Sequence, residues 1–309
     1  MESLLEIEPK IKPPLDPGYR PAFLGNRNFA EAVKKSGQGV PLKFALARSG
    51  GQVVIYATKT FPEGHPESEA AYRHAERILK FLLWQKGGSW VYVCGPASIT
   101  RQLGNDYFTT GTRAFDADFM ANVYQAPRFG LVAVEEKEFP LRYEDPTSIG
   151  RHLEGCRIGF DAGGSDRKVA AVIDGKEVFT CEVGWEPKVN SDPQYHFDGI
   201  DDSIRQAAKH LPRIDAIGVS SAGIFIENKT RVASLFRKVP AVLFEKRIKN
   251  IYMDIAKKWG NVPIEVANDG DVTALAGAMS LNDQPVLGIA WAPARPWVTW
   301  TKKGASPAG

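Results

Sequence analysis

Apolar and polar residues alternate along the second half of the chain in a pattern that predicts a sheet flanked by helices. Three consecutive β-rich runs lie between residues 157 and 183, and Asp174-Gly175 between the last two favours a tight hairpin turn. Segments with apolar residues at helical spacing then alternate with short apolar runs. This order, β-β-β-α-β-α-β-α, predicts an α/β unit with a mixed sheet. The predicted strands are 157–160, 168–173, 177–183, 215–220, 264–267 and 286–290, and the predicted helices are 197–211, 243–259 and 271–279.

The first half of the chain predicts a separate α/β unit. Five prolines among the first 21 residues favour an extended leader without regular structure. A hairpin is then predicted at 42–48 with 52–60. Helices are predicted at 29–35, 66–85 and 98–103, and further strands at 90–94 and 129–135. The predicted domains are a leader (1–22), an N-terminal α/β unit of unknown role (23–140), a linker (141–154), a second α/β unit (155–290) and a tail without structure (291–309).

Composition narrows the classes of function. Of the 309 residues, 43% are hydrophobic and 24% charged, which is typical of globular proteins. The net charge of +3 and the absence of a basic tract argue against a nucleic-acid partner. The N-terminus is acidic and proline-rich and no run has the length of a membrane span, so we predict a cytoplasmic protein without a membrane partner.

Few side chains outside the second unit suggest chemistry. The three cysteines have neither a disulfide pattern nor metal-ligand spacing, so we predict no zinc site. Asp116, Asp118 and Glu135-Glu136 form acidic clusters, which we interpret as solvated loops or strand ends.

A glycine turn interrupts the first two strands of the second unit. Asp161 ends the first strand, Gly163, Gly164 and Ser165 form the turn, and Lys168 begins the return strand. Glycines let backbone N–H groups approach an anion, and a carboxylate nearby holds Mg²⁺ through water. The pattern therefore indicates a phosphate site, although a simple hairpin uses the same residue types.

Two other strand ends are also polar and glycine-bearing, at 220–223 and 268–270. Open α/β sheets bind ligands at the edge formed by the carboxyl ends of their strands. We therefore expect 161–165, 220–223 and 268–270 to meet at one edge and to form a ligand site.

Two of these segments resemble motifs of the ROK family (repressors, open reading frames and sugar kinases), within the actin-like ATPase superfamily that includes hexokinase and Hsp70. Residues 161–168, Asp-Ala-Gly-Gly-Ser-Asp-Arg-Lys, are similar to the family's first phosphate loop, with Ser165 where Thr is usual. Residues 268–277, Asn-Asp-Gly-Asp-Val-Thr-Ala-Leu-Ala-Gly, are similar to its Asn-Asp-x-x-x-x-Ala-Leu-x-Gly segment. The resemblance covers residues 155–290 and implies an actin-like, ribonuclease H-like ATPase fold.

The resemblance implies transfer of the γ-phosphate of ATP to a carbohydrate hydroxyl, with Mg²⁺ as cofactor. Asp269 would be the general base toward the attacking hydroxyl, and Asn268 would hold a neighbouring hydroxyl. Ser221 and Gly223 fall where the family's sugar-contacting loop would lie, although its usual Pro-Gly is absent. The implied ligands are therefore a small-molecule sugar and ATP.

The phosphate side of the implied site is the glycine turn. By the resemblance, Asp161 would position Mg²⁺, and Gly163, Gly164, Ser165 and Lys168 would meet the transferring phosphate. This assignment suits phosphoryl transfer, which depends on positioning and charge neutralisation.

The chain departs from the family after residue 290. The family continues into a second ATPase domain with another phosphate hairpin, a zinc loop and an adenosine loop, which we expect to be missing here. Three of the seven tryptophans lie in 291–309. Tryptophan has one codon, and a shifted reading frame over these residues can encode a glycine-rich hairpin. We therefore hypothesise a frameshift near Ala290, with 286–290 left as an unpaired strand and little catalysis by these residues.

Other functions remain compatible with the sequence. The same family includes non-catalytic sugar-sensing regulators, and the wider superfamily includes acyl kinases and ATPases that act on other molecules. Homo-oligomer formation also remains open.

Overall fold

A computed structural model describes residues 4–145, 149–282, 285–289, 297–301 and 304–305. Within it the chain forms two compact units, Met1–Asp145 and Pro146–Gly309. Each unit has its own cluster of buried apolar side chains.

The first unit contains a four-stranded sheet of order β2-β1-β3-β4. β1 is antiparallel to β2 and β3, while β3 and β4 are parallel. Its core includes Phe29, Phe44 and Leu79, each fully buried. The elements are α1 (Ala22–Ser36), β1 (Val40–Ala47), β2 (Val53–Thr60), α2 (Ser68–Lys86), β3 (Trp90–Cys94), α3 (Ala97–Asp106), α4 (Ala114–Val123) and β4 (Gly130–Ala133).

Helix α1 is twice as long as the predicted helix at 29–35, because it starts directly after Pro21. The Pro21 carbonyl accepts hydrogen bonds from the N–H groups of Leu24 and Gly25, at 3.0 and 3.4 Å. The leader also packs against this helix. Leu5 is 3% exposed, and the Asn28 side chain donates to the Leu4 carbonyl at 2.9 Å.

Helix α4 corrects the interpretation of Asp116 as part of a solvated loop. Asp116 is 3% exposed and lies in the first turn of α4. Trp84 donates its indole N–H to Asp116 Oδ1 at 2.6 Å, and the Lys80 ammonium lies 3.5 Å from Oδ2. A buried carboxylate needs such partners, and none of them is apparent from local sequence. Asp118, on the same helix, is exposed.

The second unit contains a five-stranded mixed sheet of order β11-β8-β5-β6-β7. β5, β6 and β7 form the predicted antiparallel meander, while β5, β8 and β11 are parallel neighbours. The predicted α/β class is therefore confirmed. The elements are β5 (Cys156–Ala162), β6 (Asp166–Ile173), β7 (Lys176–Gly184), α5 (Pro193–Ala208), β8 (Ala216–Ser221), β9 (Ile224–Ile226), β10 (Lys229–Val232), α6 (Ala241–Leu243), α7 (Ile251–Lys258), β11 (Ile264–Asn268), α8 (Asp269–Ser280), β12 (Val286–Ile289), β13 (Trp297–Thr301) and β14 (Gly304–Ala305).

Side-chain alternation gives this sheet two different faces. Ile158 and Phe160 of β5 are buried in a core that also contains Ile204 of α5 and Ile255 of α7. Gly159, which lies between them, is on the opposite face of the sheet and is exposed. One face therefore carries the core and the other carries the polar and small residues.

Two features of this unit depart from the predictions. Strands β9 and β10 form a small antiparallel hairpin that was not predicted. The helix predicted at 243–259 is divided into α6, a π-helical turn at Phe244–Ile248, and α7. The carbonyl of Lys249, between the two parts, accepts a hydrogen bond from the Thr230 N–H at 2.9 Å. The interruption of the helix thus coincides with a hydrogen bond to β10. The helical periodicity of the sequence cannot reveal such a contact.

The end of the chain contains the strand predicted at 286–290, as β12, and two strands, β13 and β14, where none was predicted. β12 pairs antiparallel with β13, from Val286 opposite Trp300 to Ile289 opposite Trp297. β13 then pairs with β14. The expectations of an unpaired strand at 286–290 and of no structure in 291–309 are wrong for these segments, since Trp, Val and Thr favour strands. Residues 290–296 lie outside the described residues.

Candidate functional site

The carboxyl ends of three parallel strands meet at one edge of the second sheet. Asp161 of β5 lies opposite Ser220 of β8, which in turn lies opposite Ala267 of β11. One residue further, Ser221 pairs with both Ala162 and Asn268. The three polar segments expected from the sequence are therefore brought together in register, at the edge where such sheets bind ligands.

Asp161 is held in place by its neighbour on β8. The Ser220 hydroxyl donates to Asp161 Oδ1 at 2.7 Å, and the Asp161 side chain is half-buried. The hydrogen bond orients the carboxylate and occupies one of its oxygens. Within the described part of the chain, no hydrogen bond to Asp161 Oδ2 accompanies it.

Asp269 is the first residue of α8, directly after β11. Burial raises the pKa of its carboxyl group, and the negative charge of Asp161 raises that pKa further. The Gly270 N–H acts in the opposite direction by donating to Asp269 Oδ1 at 2.9 Å. A partly buried carboxylate with a raised pKa is a stronger base than an exposed one, which suits proton abstraction.

Asp271 is a third carboxyl group at this edge, which sequence reasoning missed. Its side chain is 9% exposed, and its Oδ1 has no hydrogen-bond partner within the described part of the chain. Burial, followed by the charge of Asp269, raises its pKa to about 7. The sequence signal for Asp271 was only its place in the first turn of α8, where acidic residues are common for structural reasons.

The glycine turn of Gly163 and Gly164 is tied to the chain that follows β7. The Trp185 indole N–H donates to the carbonyls of Gly163 and Asp166, at 2.9 and 3.1 Å. The Trp185 backbone N–H donates to the Ser165 carbonyl at 3.1 Å. A Cβ on Gly163 would lie 2.5 Å from the Asp166 carbonyl oxygen, so only glycine fits there. The turn therefore has a fixed shape, as a phosphate-binding loop requires.

Lys168 is engaged within the protein. Its ammonium lies 2.8 Å from Asp166 Oδ1 and 3.9 Å from Glu182 Oε1. The hydrogen bond to Asp166 raises the pKa of Lys168 and lowers that of Asp166. Ser165 is exposed, and its hydroxyl lies 3.3 Å from Asp166 Oδ2. The carboxylate of Asp166 therefore neutralises the cation that the sequence assigned to the phosphate.

A second lysine, Lys188, contacts the turn through its side chain. Lys188 approaches Gly164 so closely that a Cβ there would come within 2.5 Å of Lys188 Cε and nearer still to its ammonium nitrogen. Lys188 is 24 residues from Gly164 and separated from it by β6 and β7. No sequence motif marks this approach, because the fold alone creates it.

Residues assigned to the sugar side have structural partners. The Asn268 side chain accepts from the Gly270 N–H and donates to the Gly223 carbonyl, both at 2.8 Å. A Cβ on Gly223 would lie 2.5 Å from the Val232 carbonyl oxygen, so this glycine permits close packing. Ser221 is 0% exposed. Its burial is at odds with the predicted sugar contact, because a ligand cannot reach the hydroxyl unless the loop opens.

A cleft of about 680 Å³ lies on the sheet face opposite the core. Small residues in register across neighbouring strands form its floor, with Gly159 opposite both Ala170 and Gly218. Asp161 and Ser220 line it in the next row toward the ligand edge. The candidate site is therefore continuous with an open, largely apolar surface.

The arrangement of carboxylates suits Mg²⁺ bound partly through phosphate. Among the described residues, no three His, Cys, Asp or Glu side chains converge as a metal cluster. Mg²⁺ commonly uses one or two carboxylates together with water and substrate phosphates. Asp161, oriented by Ser220 beside the glycine turn, matches this use, and a cation there would offset its repulsion of Asp269.

No family model matches the sequence, and no curated protein matches it significantly. Solved structures similar to the chain include a ROK hexokinase from Thermus thermophilus, at 14% identity and a TM-score of 0.37, covering 48% of this chain and 47% of that one. A glucokinase from Parabacteroides distasonis has 14% identity and a TM-score of 0.38, covering 50% and 46%. The ethanolamine utilization protein EutJ from Carboxydothermus hydrogenoformans has 12% identity and a TM-score of 0.32, covering 51% and 52%.

One of these structures is a hexokinase of the ROK family, the family whose motifs the two segments resemble. The chain spans about half the length of these structures. Among the helices within the described ranges, none has the length and apolar character needed to cross a bilayer.

Proposed function

We propose that the second unit provides the acceptor-side half of an ATP-dependent sugar kinase, which transfers the γ-phosphate of ATP to a carbohydrate hydroxyl. The observation that carries this proposal is the meeting of Asp161, Asp269 and the glycine turn at one sheet edge. Asp161 and Asp269 are close enough for the charge of one to raise the pKa of the other.

Asp269 has the properties of the general base. The proton of the sugar hydroxyl passes to its carboxylate as the hydroxyl oxygen attacks the γ-phosphorus and ADP leaves. Burial supports this role because it raises the pKa of Asp269. Asn268 fixes Asp269 from the side, since it holds the loop at Gly223 and the first turn of α8 together.

The phosphate side consists of the glycine turn and Asp161. The Trp185 hydrogen bonds fix the turn, and the Ser220 hydroxyl orients Asp161 toward a cation. Bound Mg²⁺ would neutralise charge on the phosphate oxygens. ATP and Mg²⁺ are therefore the proposed cofactors, a sugar is the proposed substrate, and the cytoplasm is the proposed location.

One observation favours a regulatory protein that binds sugar without phosphorylating it. The pairing of Lys168 with Asp166 removes a cation that transfer would use. Sugar binding without ATP consumption is the behaviour expected of this second candidate.

Turnover and binding distinguish the two functions. Since the sequence predicts little catalysis by these residues alone, we expect slow sugar-dependent ADP formation in a panel of hexoses and amino sugars, and a roughly 100-fold or greater loss in Asp269→Asn, which removes the base. Asp118→Asn, an exposed substitution in the first unit, is the matched control. Calorimetric sugar binding without ADP formation supports the regulator. Sugar-independent ATP hydrolysis that is equal in wild type and Asp269→Asn contradicts the kinase.

A further inference from the structure

Lys188 belongs to the segment that follows β7, and this segment is attached to the glycine turn. Trp185, three residues earlier, is 6% exposed and donates three hydrogen bonds to carbonyls at or beside the turn. Its ring lies in the core of the second unit. The start of the segment therefore cannot move without disturbing both the core and the turn.

The side chain of Lys188 occupies the space that a side chain at position 164 would need. A Cβ on Gly164 would lie 2.5 Å from Lys188 Cε, and the ammonium nitrogen lies nearer still. Such distances do not occur between real atoms, so glycine at 164 is what admits the lysine. A positive charge is thereby placed directly on the backbone of the turn.

None of the ion pairs formed within the part of the chain that the structure describes includes Lys188, whereas Lys168 takes part in two. Lys168, by contrast, pairs with Asp166, whose negative charge offsets the attraction of Lys168 for an anion. Arg237 forms a hydrogen bond with the backbone of Lys188. Its Nε donates to the Lys188 carbonyl at 3.1 Å, which fixes the backbone of Lys188 and brings a second cation close to it.

We propose that Lys188 is the cation that binds the polyphosphate of the nucleotide at the glycine turn, with Arg237 as its positioning residue. This inference rests on the proposed function, which places a phosphate at the turn. An ammonium ion on a glycine backbone binds phosphate oxygens as a point charge while the backbone N–H groups bind alongside it. Lys168 then has a structural role, since it pairs with Asp166 on its own strand and with Glu182 on the neighbouring strand.

Binding of inorganic tripolyphosphate, Mg-ATP and adenosine to the full chain tests this assignment by calorimetry. We expect Lys188→Gln to weaken tripolyphosphate and Mg-ATP binding about tenfold or more, because a charge-assisted hydrogen bond contributes about 1.5 kcal/mol or more. Adenosine binding should not change. Lys188→Arg should restore part of the affinity, and Lys209→Gln, an exposed lysine at the end of α5, is the matched control.

Gly164→Ala provides a second, independent variant, since its methyl group displaces the Lys188 ammonium and should weaken tripolyphosphate binding as Lys188→Gln does. Arg237→Gln should weaken it less than Lys188→Gln. Melting temperatures confirm that each variant is folded.

The outcomes separate this inference from the kinase proposal. Equal tripolyphosphate binding by wild type and Lys188→Gln, a larger loss in Lys168→Gln than in Lys188→Gln, or no binding by wild type would overturn the role of Lys188. Sugar-dependent turnover that is unaffected by Lys188→Gln leaves the kinase standing without this lysine. Lys188-dependent tripolyphosphate binding without sugar-dependent turnover supports the lysine and contradicts the kinase.

Discussion

His74 is a buried titratable side chain in the first unit. It is 3% exposed, and its ring stacks on Phe29 with centroids 4.2 Å apart. Burial lowers its pKa from 6.5 to about 4, and the charge of Arg77 contributes in the same direction. Because the pKa of His74 is lower in the folded state than in the unfolded state, the buried neutral ring contributes to folding stability above pH 6.5. This contribution is lost as the pH falls toward 4.

We therefore expect the first unit to lose about 3 kcal/mol of stability between pH 7 and pH 4 through His74 alone. His74→Phe should remove most of this acid sensitivity, since it keeps an aromatic ring against Phe29 without a titrating group. Urea unfolding followed by circular dichroism at several pH values measures the effect. His152→Asn, at an exposed position, is the control, and an unchanged pH profile in His74→Phe would contradict the assignment.

Single residues also show what a sequence pattern cannot reveal. Asp161, Asp269 and the glycines of the turn were identified because each lies at the end of a strand or directly after one and belongs to a local motif. Lys188 and Trp185 were missed, because their contacts with the turn depend on the pairing of β6 with β7. The interpretation of Asp116 as solvated was wrong, and the burial of Ser221 was not apparent from the sequence, because their neighbours are distant in sequence.

At the scale of elements, the sequence predicted the meander and the parallel strands of the second unit. Alternating apolar residues and the Asp174-Gly175 turn are local signals, and the structure confirms the strands that they indicate. The hairpin of β9 and β10 was missed because its strands have only three and four residues. The pairing of β12 with β13 was missed because the composition of 291–309 led to the prediction that this segment has no structure.

The open face of the second sheet gives a prediction about its strands. A Cβ on Gly218 would meet no atom within 4 Å, whereas a Cβ on Gly223 would lie 2.5 Å from the Val232 carbonyl oxygen. Valine favours strands and reduces the freedom of the unfolded chain. We expect Gly218→Val to stabilise the second unit by about 0.5 to 1 kcal/mol.

Gly223→Ala, in contrast, should destabilise the unit, since the methyl group must displace backbone. Chemical denaturation of both variants beside wild type gives the comparison. Destabilisation by Gly218→Val as well would show that another element packs against this face of the sheet in solution.

At the scale of the whole molecule, the two units have separate cores. The buried cluster around Phe44 contains only residues of the first unit, and the cluster around Phe160 contains only residues of the second. Each side chain is at most 2% exposed. Stability that comes from apolar burial is therefore generated within each unit.

Truncation of these two residues tests whether each unit unfolds on its own. Phe44→Ala and Phe160→Ala each remove a buried aromatic ring, which costs about 3 to 5 kcal/mol. We expect Phe44→Ala to raise hydrogen exchange across β1, β2 and β3 while β5, β6 and β8 stay protected, and Phe160→Ala to do the reverse. Exchange followed by mass spectrometry of peptic peptides measures both sets of strands in one experiment, because each substitution serves as the control for the other. Loss of protection in both units from either substitution would mean that the two cores unfold as a single cooperative structure, despite sharing no buried residue.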